Sequence, residues 1–120
     1  MIGSHRDLLV WQKAMVLVTV CYEVSNQFPE SERFGLTSQL RRAVVSIPAN
    51  IAEGKARGTT KNFLNFLSIA DGSLAELDTH LELAVRLNFV SRETQQTIQP
   101  RMDEIGRMLT GLRRSLKRNL

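Results

Sequence analysis

Gln39, Arg42, Ser46, Asn50 and Glu53 recur at steps of three, four, four and three. On a helix these five polar residues share a stripe about 80° wide beside an apolar seam. Such a stripe can hydrogen-bond a neighbouring helix or subunit, or it can hold a ligand. Its residue types favour the structural contact. The other groups capable of chemistry lack their partners. Glu76 and His80 come closest to the Glu-x-x-His spacing of metal-binding bundles, but they are four apart. The only other histidine, His5, sits near the N-terminus, so no second helix completes a metal site. Cys21 lies among apolar residues with no His–Asp arrangement nearby and reads as a small packed hydrophobe. Gly54-Lys55-Ala56-Arg57-Gly58 lacks phosphate-loop spacing and follows a helix rather than a strand. Gly72, in mid-helix, reads as a point of close helix approach. These residues assign no catalytic, cofactor-binding or metal-ligating role, and the expectation is a protein that is not an enzyme.

The basic residues carry the stronger signal. The chain has 16 Lys and Arg against 12 Asp and Glu, a net charge of +4. Arg113, Arg114, Lys117 and Arg118 supply all of that excess and gather on one side of a helix at i, i+1, i+4 and i+5. A second group, Arg41, Arg42, Lys55, Arg57 and Lys61, faces only Glu53 within residues 41–61. Residues 71–82 are the reverse, with Asp71, Glu76, Asp78 and Glu82 and no base. Basic patches of this kind attract a polyanion, so these nine residues are the candidate contacts to RNA or DNA. The competing reading is a structural or protein-interaction module whose charged faces are only solvated.

These residues need elements to position them. With 120 residues, 42% of them apolar, the chain suits a single domain over residues 1–120. Three prolines and seven aromatics are few for a small all-β fold. Four helices are predicted. The first runs from about Asp7 to Gln27 and stops at Phe28-Pro29. The second spans about Gly35 to Glu53 and ends at Gly54. The third is N-capped near Thr59–Thr60 and closes at Asn88, and the fourth is capped by Ser91 and reaches about Arg118. Pro48 lies deep in the second helix, where a kink is expected, and Pro100 lies near the start of the fourth. Apolar steps of three and four recur in all four. They are Leu8, Trp11, Met15, Val18, Tyr22; Leu36, Leu40, Ala43, Ile47, Ile51; Phe63 through Ala84; and Ile98 through Leu116. Short connections and such seams specify an all-α, antiparallel up-down-up-down four-helix bundle.

The first helix is apolar over more than half of its circumference, wider than one bundle core needs. The excess predicts a second buried face, and self-association is the simplest way to bury it. A charge at Val20 or Val24 should disturb that contact. The single cysteine forms no internal disulfide, no window suits a membrane span, and no signal-peptide pattern opens the chain. A reducing cytoplasm and no membrane partner are the expectation.

The stretches DLLVWQKAM (7–15), FGLTSQLRRAVVSIPANIAEG (34–54) and SLAELDTHLELAVRL (73–87) resemble the family of 23S rRNA intervening-sequence proteins. The family is in turn similar to the accessory variability protein of diversity-generating retroelements. The resemblance spans almost the whole chain, and its middle block is the most specific part. It implies a small bacterial four-helix bundle with no established enzymatic activity and no catalytic residues. It also implies a homopentamer that binds nucleic acid, with a reverse transcriptase as a partner protein. Arg41, Arg42 and Lys55 lie in or just beyond the middle block.

Overall fold

The computed structural model describes residues 3–120. Ser4 opens the described chain with a capping box over a short 3-10 turn, His5–Asp7. Leu8 then turns extended, so α1 begins at Leu9, two residues later than expected, and spans Leu9–Ser25. Past Phe28-Pro29 a second 3-10 turn, Glu30–Glu32, leads into α2, Leu36–Ala56. The Glu32 carboxylate accepts from the Leu36 amide at 3.0 Å, satisfying one of the orphan donors of that helix start.

α2 runs through Gly54 and stops two residues later. Gly58, at φ +84°, makes the turn instead. Gly54 serves a different need: a Cβ there would stand 2.6 Å from Phe66 Cβ, so its absence lets α2 and α3 meet closely. Gly72 has the opposite character. Nothing lies within 4 Å of its virtual Cβ, so it is no point of helix approach.

α3 spans Thr60–Arg86, and the Thr59 hydroxyl accepts from Asn62 N at 3.2 Å. Its end is a Schellman turn built on Asn88 at φ 63°, with Phe89 N donating to Ala84 O and Asn88 N to Val85 O. α4, Arg92–Lys117, is capped by Ser91 in the same way as α3 by Thr59. Pro100 lies in its third turn and is exposed, so the carbonyl it leaves unpaired can be solvated. Pro48 is buried, and α2 passes through it as one helix of 21 residues.

Each helix packs on its two antiparallel neighbours, α1–α2–α3–α4 and back to α1, and no diagonal pair brings its Cα atoms within 8 Å. This is the expected up-down-up-down bundle, 46 × 24 × 19 Å. The seams of α2, α3 and α4 fall where their spacing placed them, with Leu112 and Leu116 only half-buried. The seam of α1 does not. Val10, Ala14, Leu17, Cys21 and Val24 face the core, while Met15 and Tyr22 are exposed and Leu8, Trp11 and Val18 are half-buried. Both stripes of α1 carry apolar residues at steps of three and four, so periodicity alone does not choose between them. The buried stripe includes the small Ala14 and Cys21, which allow close packing, and the bulkier Met15 and Tyr22 stay on the flank. Val24 is therefore a core residue and Val20 is half-buried; a charge at Val24 would strike the monomer first.

Candidate nucleic-acid interface

The antiparallel topology brings the α2–α3 turn and the C-terminus of α4 to the same end of the bundle. Lys55 and Arg57 close α2, Lys61 lies in the first turn of α3, and Arg113, Arg114, Lys117 and Arg118 close α4. Two groups that are distant in sequence thus share one end. Arg41 and Arg42 do not join them. Thirteen residues of helix, about 20 Å, separate Arg42 from Lys55. The apparent patch over residues 41–61 is therefore divided between the two ends of the molecule.

The nine candidate bases differ in how free they are. Arg41 is held by Ser25 Oγ at 2.8 Å and Asn26 Oδ1 at 2.9 Å, and its guanidinium stacks 4.6 Å from the Tyr22 ring. Arg57 pairs with Glu53 at 2.6 Å and lies over Phe66, while Lys55 sits 5.9 Å from the Phe63 ring. Arg113 reaches Asp71 of α3 at 3.4 Å. Among the described residues, Arg57 and Arg113 are the two of the nine that pair with a carboxylate, and Arg42, Lys61, Arg114, Lys117 and Arg118 have neither an ion pair nor an aromatic ring holding them.

The α4 bases form a surface of their own. Thr110, Arg113, Arg114, Lys117 and Arg118 line an open cleft of about 430 Å³. An adjoining cleft of about 500 Å³ adds Arg107 beside Arg114. Sequence reasoning missed Arg107, although its spacing of seven from Arg114 puts both on one helix face. Arg6 was also missed; it precedes α1 at this same end and stacks 5.6 Å from the Trp11 ring. Guanidinium planes held over aromatic rings are fixed in position while their outer N–H groups stay available.

The polar stripe of α2 does not act as one unit. Ser46 Oγ meets Ser73 Oγ of α3 at 2.7 Å, and Asn50 Nδ2 donates to Ser46 O and Ser46 Oγ, each at 2.8 Å. Those residues form the expected helix contact. Glu53 instead turns to Arg57 on its own helix, and Gln39 and Arg42 are exposed. Burial pushes the Cys21 thiol up to about 12, far from a working nucleophile. His80 Nδ1 is buried without a partner among the described residues. Among those residues, too, no three His, Cys, Asp or Glu side chains converge as metal ligands, and no helix is long and apolar enough to cross a membrane.

At the opposite end, Glu82 gathers three partners. Its carboxylate accepts from Arg86 at 2.9 Å, Arg92 at 2.7 Å and Gln95 at 2.8 Å. The hydrogen bond from Arg92 chiefly, then those from Gln95 and Arg86, holds its pKa down at about 2. This knot joins the end of α3 to the start of α4.

The family model described as 23S rRNA-intervening sequence protein matches residues 6–111. The chain belongs to that family. Among solved structures, this intervening-sequence protein is similar to a protein of unknown function from the S23 ribosomal protein family of Bacteroides thetaiotaomicron VPI-5482. The two share 27% identity at a TM-score of 0.80, over 87% of this chain and 97% of that one. No curated protein matches the chain. The matched segment holds all of α1, α2 and α3 but ends before Arg113, so the basic α4 terminus lies outside it.

Proposed function

We propose that this intervening-sequence protein is a non-enzymatic, self-associating bundle that binds RNA or DNA through one end. The observation that carries this reading is the convergence of seven bases from α2, α3 and α4 at a single end, five of them without a carboxylate partner among the described residues. Phosphate contacts need clustered cations in a fixed array rather than a large net charge, and three helices supply that array. Exposed Leu9, Met15, Val16, Tyr22 and Phe34 support self-association, since they leave apolar surface on and beside α1 that one copy does not bury. The resemblance to the accessory variability protein supports five copies per ring and a reverse transcriptase as partner, acting in the cytoplasm. A ring would repeat the basic end around its axis and multiply phosphate contacts without new chemistry.

A mobility shift with structured RNA and with duplex DNA across a salt series tests the reading. Binding that weakens steeply and linearly in log salt is expected, with a slope of about −0.9 per phosphate contacted on duplex DNA. Absence of a shift at low salt would favour the second reading, an interaction module with no nucleic-acid role. Phe34, 88% exposed, is the observation on that side.

A further inference from the structure

At the basic end two arginines are presented differently from the other bases. The Arg57 guanidinium lies over the Phe66 ring, 5.1 Å from its centroid, and the Arg6 guanidinium lies 5.6 Å from that of Trp11. Both rings are half-buried and act as fixed floors, while both arginines are exposed. Gly54 makes the first floor possible: with no Cβ there, Phe66 comes against α2 three residues before Arg57. The second is held by local bonds. Arg6 N donates to Ser4 Oγ at 3.1 Å, Arg6 O accepts from Gln12 Nε2 at 2.8 Å, and the His5 ring packs edge-to-face with Trp11 at 5.1 Å. The 3-10 turn that carries Arg6 also packs on α2.

Resting on the nucleic-acid binding proposed above, we infer that Arg57 and Arg6 are stacking seats for unpaired nucleobases, so that the basic end takes single strands in preference to duplex. A guanidinium over a ring is a flat cationic layer, and an unpaired base completes it as a third layer. Arg57 suits stacking better than phosphate. Its Nη2 already donates to Glu53 at 2.6 Å, which offsets its charge, occupies one edge and leaves the outer face on offer. The phosphates fall instead to Lys61, Arg114, Lys117 and Arg118, which neither a ring nor a carboxylate holds among the described residues. A duplex offers phosphates to such an end but keeps its base faces stacked inside. A single strand offers both. Stacking is tolerant of sequence, so the ligand class is a single strand of RNA or DNA rather than one particular sequence.

A merely structural role for these pairs needs only an aliphatic stem laid along the ring, which lysine supplies as arginine does. Lysine also keeps the charge and loses the plane. The variant R6K/R57K therefore separates stacking from packing and from simple charge.

The test is fluorescence anisotropy on the full chain at one low salt concentration. The probes are oligothymidylate and oligouridylate of about 15 nucleotides, an abasic strand of the same length, and a duplex of the same length. The wild type should hold oligothymidylate about tenfold tighter than the abasic strand, a comparison that does not depend on any variant. R6K/R57K should lower oligothymidylate to the abasic level and leave the abasic strand, the duplex and the melting temperature unchanged. Oligouridylate should follow oligothymidylate, since the base face is the group recognised. A wild type that holds oligothymidylate no tighter than the abasic strand, or a variant that loses nothing, would overturn the stacking seats while leaving phosphate binding standing. An equal fall on every probe would assign both arginines to phosphate and also overturn the inference. Tight binding of oligouridylate alone would make the 2′-hydroxyl the recognised group, with the same consequence. Failure of every probe to bind would overturn the proposed function and this inference together.

Discussion

Ser46 Oγ and Ser73 Oγ stand 2.7 Å apart, the hydrogen bond that sets the register of α2 against α3. Asn50 supports it from one turn away, donating to both oxygens of Ser46. The two changes Ser46→Ala and Asn50→Ala should therefore differ in cost. Ser46→Ala strands the buried Ser73 hydroxyl, at about 1–3 kcal/mol. Asn50→Ala removes a donor but leaves the serine pair intact, at about 1 kcal/mol. Urea unfolding should show both midpoints falling with unchanged slope, Ser46→Ala by more. An Asn50→Ala midpoint equal to that of the wild type would mean that the amide adds nothing to the packing of α2 on α3.

Two glycines inside helices should respond to alanine with opposite signs. At Gly72 there is open space, so Gly72→Ala should gain the helix propensity difference, about 1 kcal/mol. At Gly54 the added methyl meets Phe66 Cβ at 2.6 Å and Phe63 Cδ1 at 3.2 Å. Gly54→Ala should therefore lower stability by about 1–3 kcal/mol as the α2–α3 corner is forced apart. Calorimetric melting of the two variants side by side checks the sign. A Gly54→Ala protein that melts above the wild type would show that the corner yields easily.

Sequence reasoning reaches the helices, their order and three of the four seams because period and cap residues are local signals. Thr59, Asn88 and Ser91 act at helix ends, where the physics involves only the next few residues. The choice of buried face on α1 is not local. It depends on how closely α2 and α4 approach, which the small Ala14 and Cys21 permit and no periodicity reveals. The roles expected of Gly54 and Gly72 fail for the same reason: α2 runs past Gly54, which is the point of close approach, and Gly72 faces open space within α3. A glycine's role is set by what faces it, and Phe66 faces only one of them. The candidate interface is legible in its residue types and illegible in its grouping. Lys55 and Arg118 are far apart in the chain, and only the antiparallel topology puts them at one end, away from Arg42.

Glu82 supplies a pH signature. Its carboxyl is lowered from the ordinary 4.5 to about 2 in the folded protein by Arg92, Gln95 and Arg86. A depressed folded value means that the carboxylate stabilises the fold fully above pH 4.5. That contribution is lost as pH falls through 4.5 towards 2, where the folded form also takes up the proton. Glu82→Gln should therefore be less stable than the wild type at about pH 7 and approach it as pH nears 2. Chemical denaturation at a series of pH values would show the two curves converging. Parallel curves would mean that the carboxylate is no better held in the fold than in the unfolded chain.

The α4 terminus offers the sharpest test of phosphate binding, provided the bundle is left intact. Truncation after Leu112 would also remove the half-buried Leu116 and the Arg113–Asp71 bridge, so weaker binding could reflect a loosened helix. Arg114, Lys117 and Arg118 are exposed and make no ion pair among the described residues. Replacing those three with Gln should leave helix content and assembled mass unchanged. If they touch phosphate, the salt dependence of duplex DNA binding should flatten by about 0.9 in log–log slope for each phosphate no longer neutralised. The same variant should weaken RNA and DNA of different sequence about equally, since phosphate contacts carry no base information. An unchanged slope would move the phosphate-binding surface to Lys55, Arg57 and Lys61 at the same end. Of those, Lys61 is the one without an aromatic or carboxylate neighbour holding its side chain among the described residues, so Lys61→Gln would then be expected to cost the most.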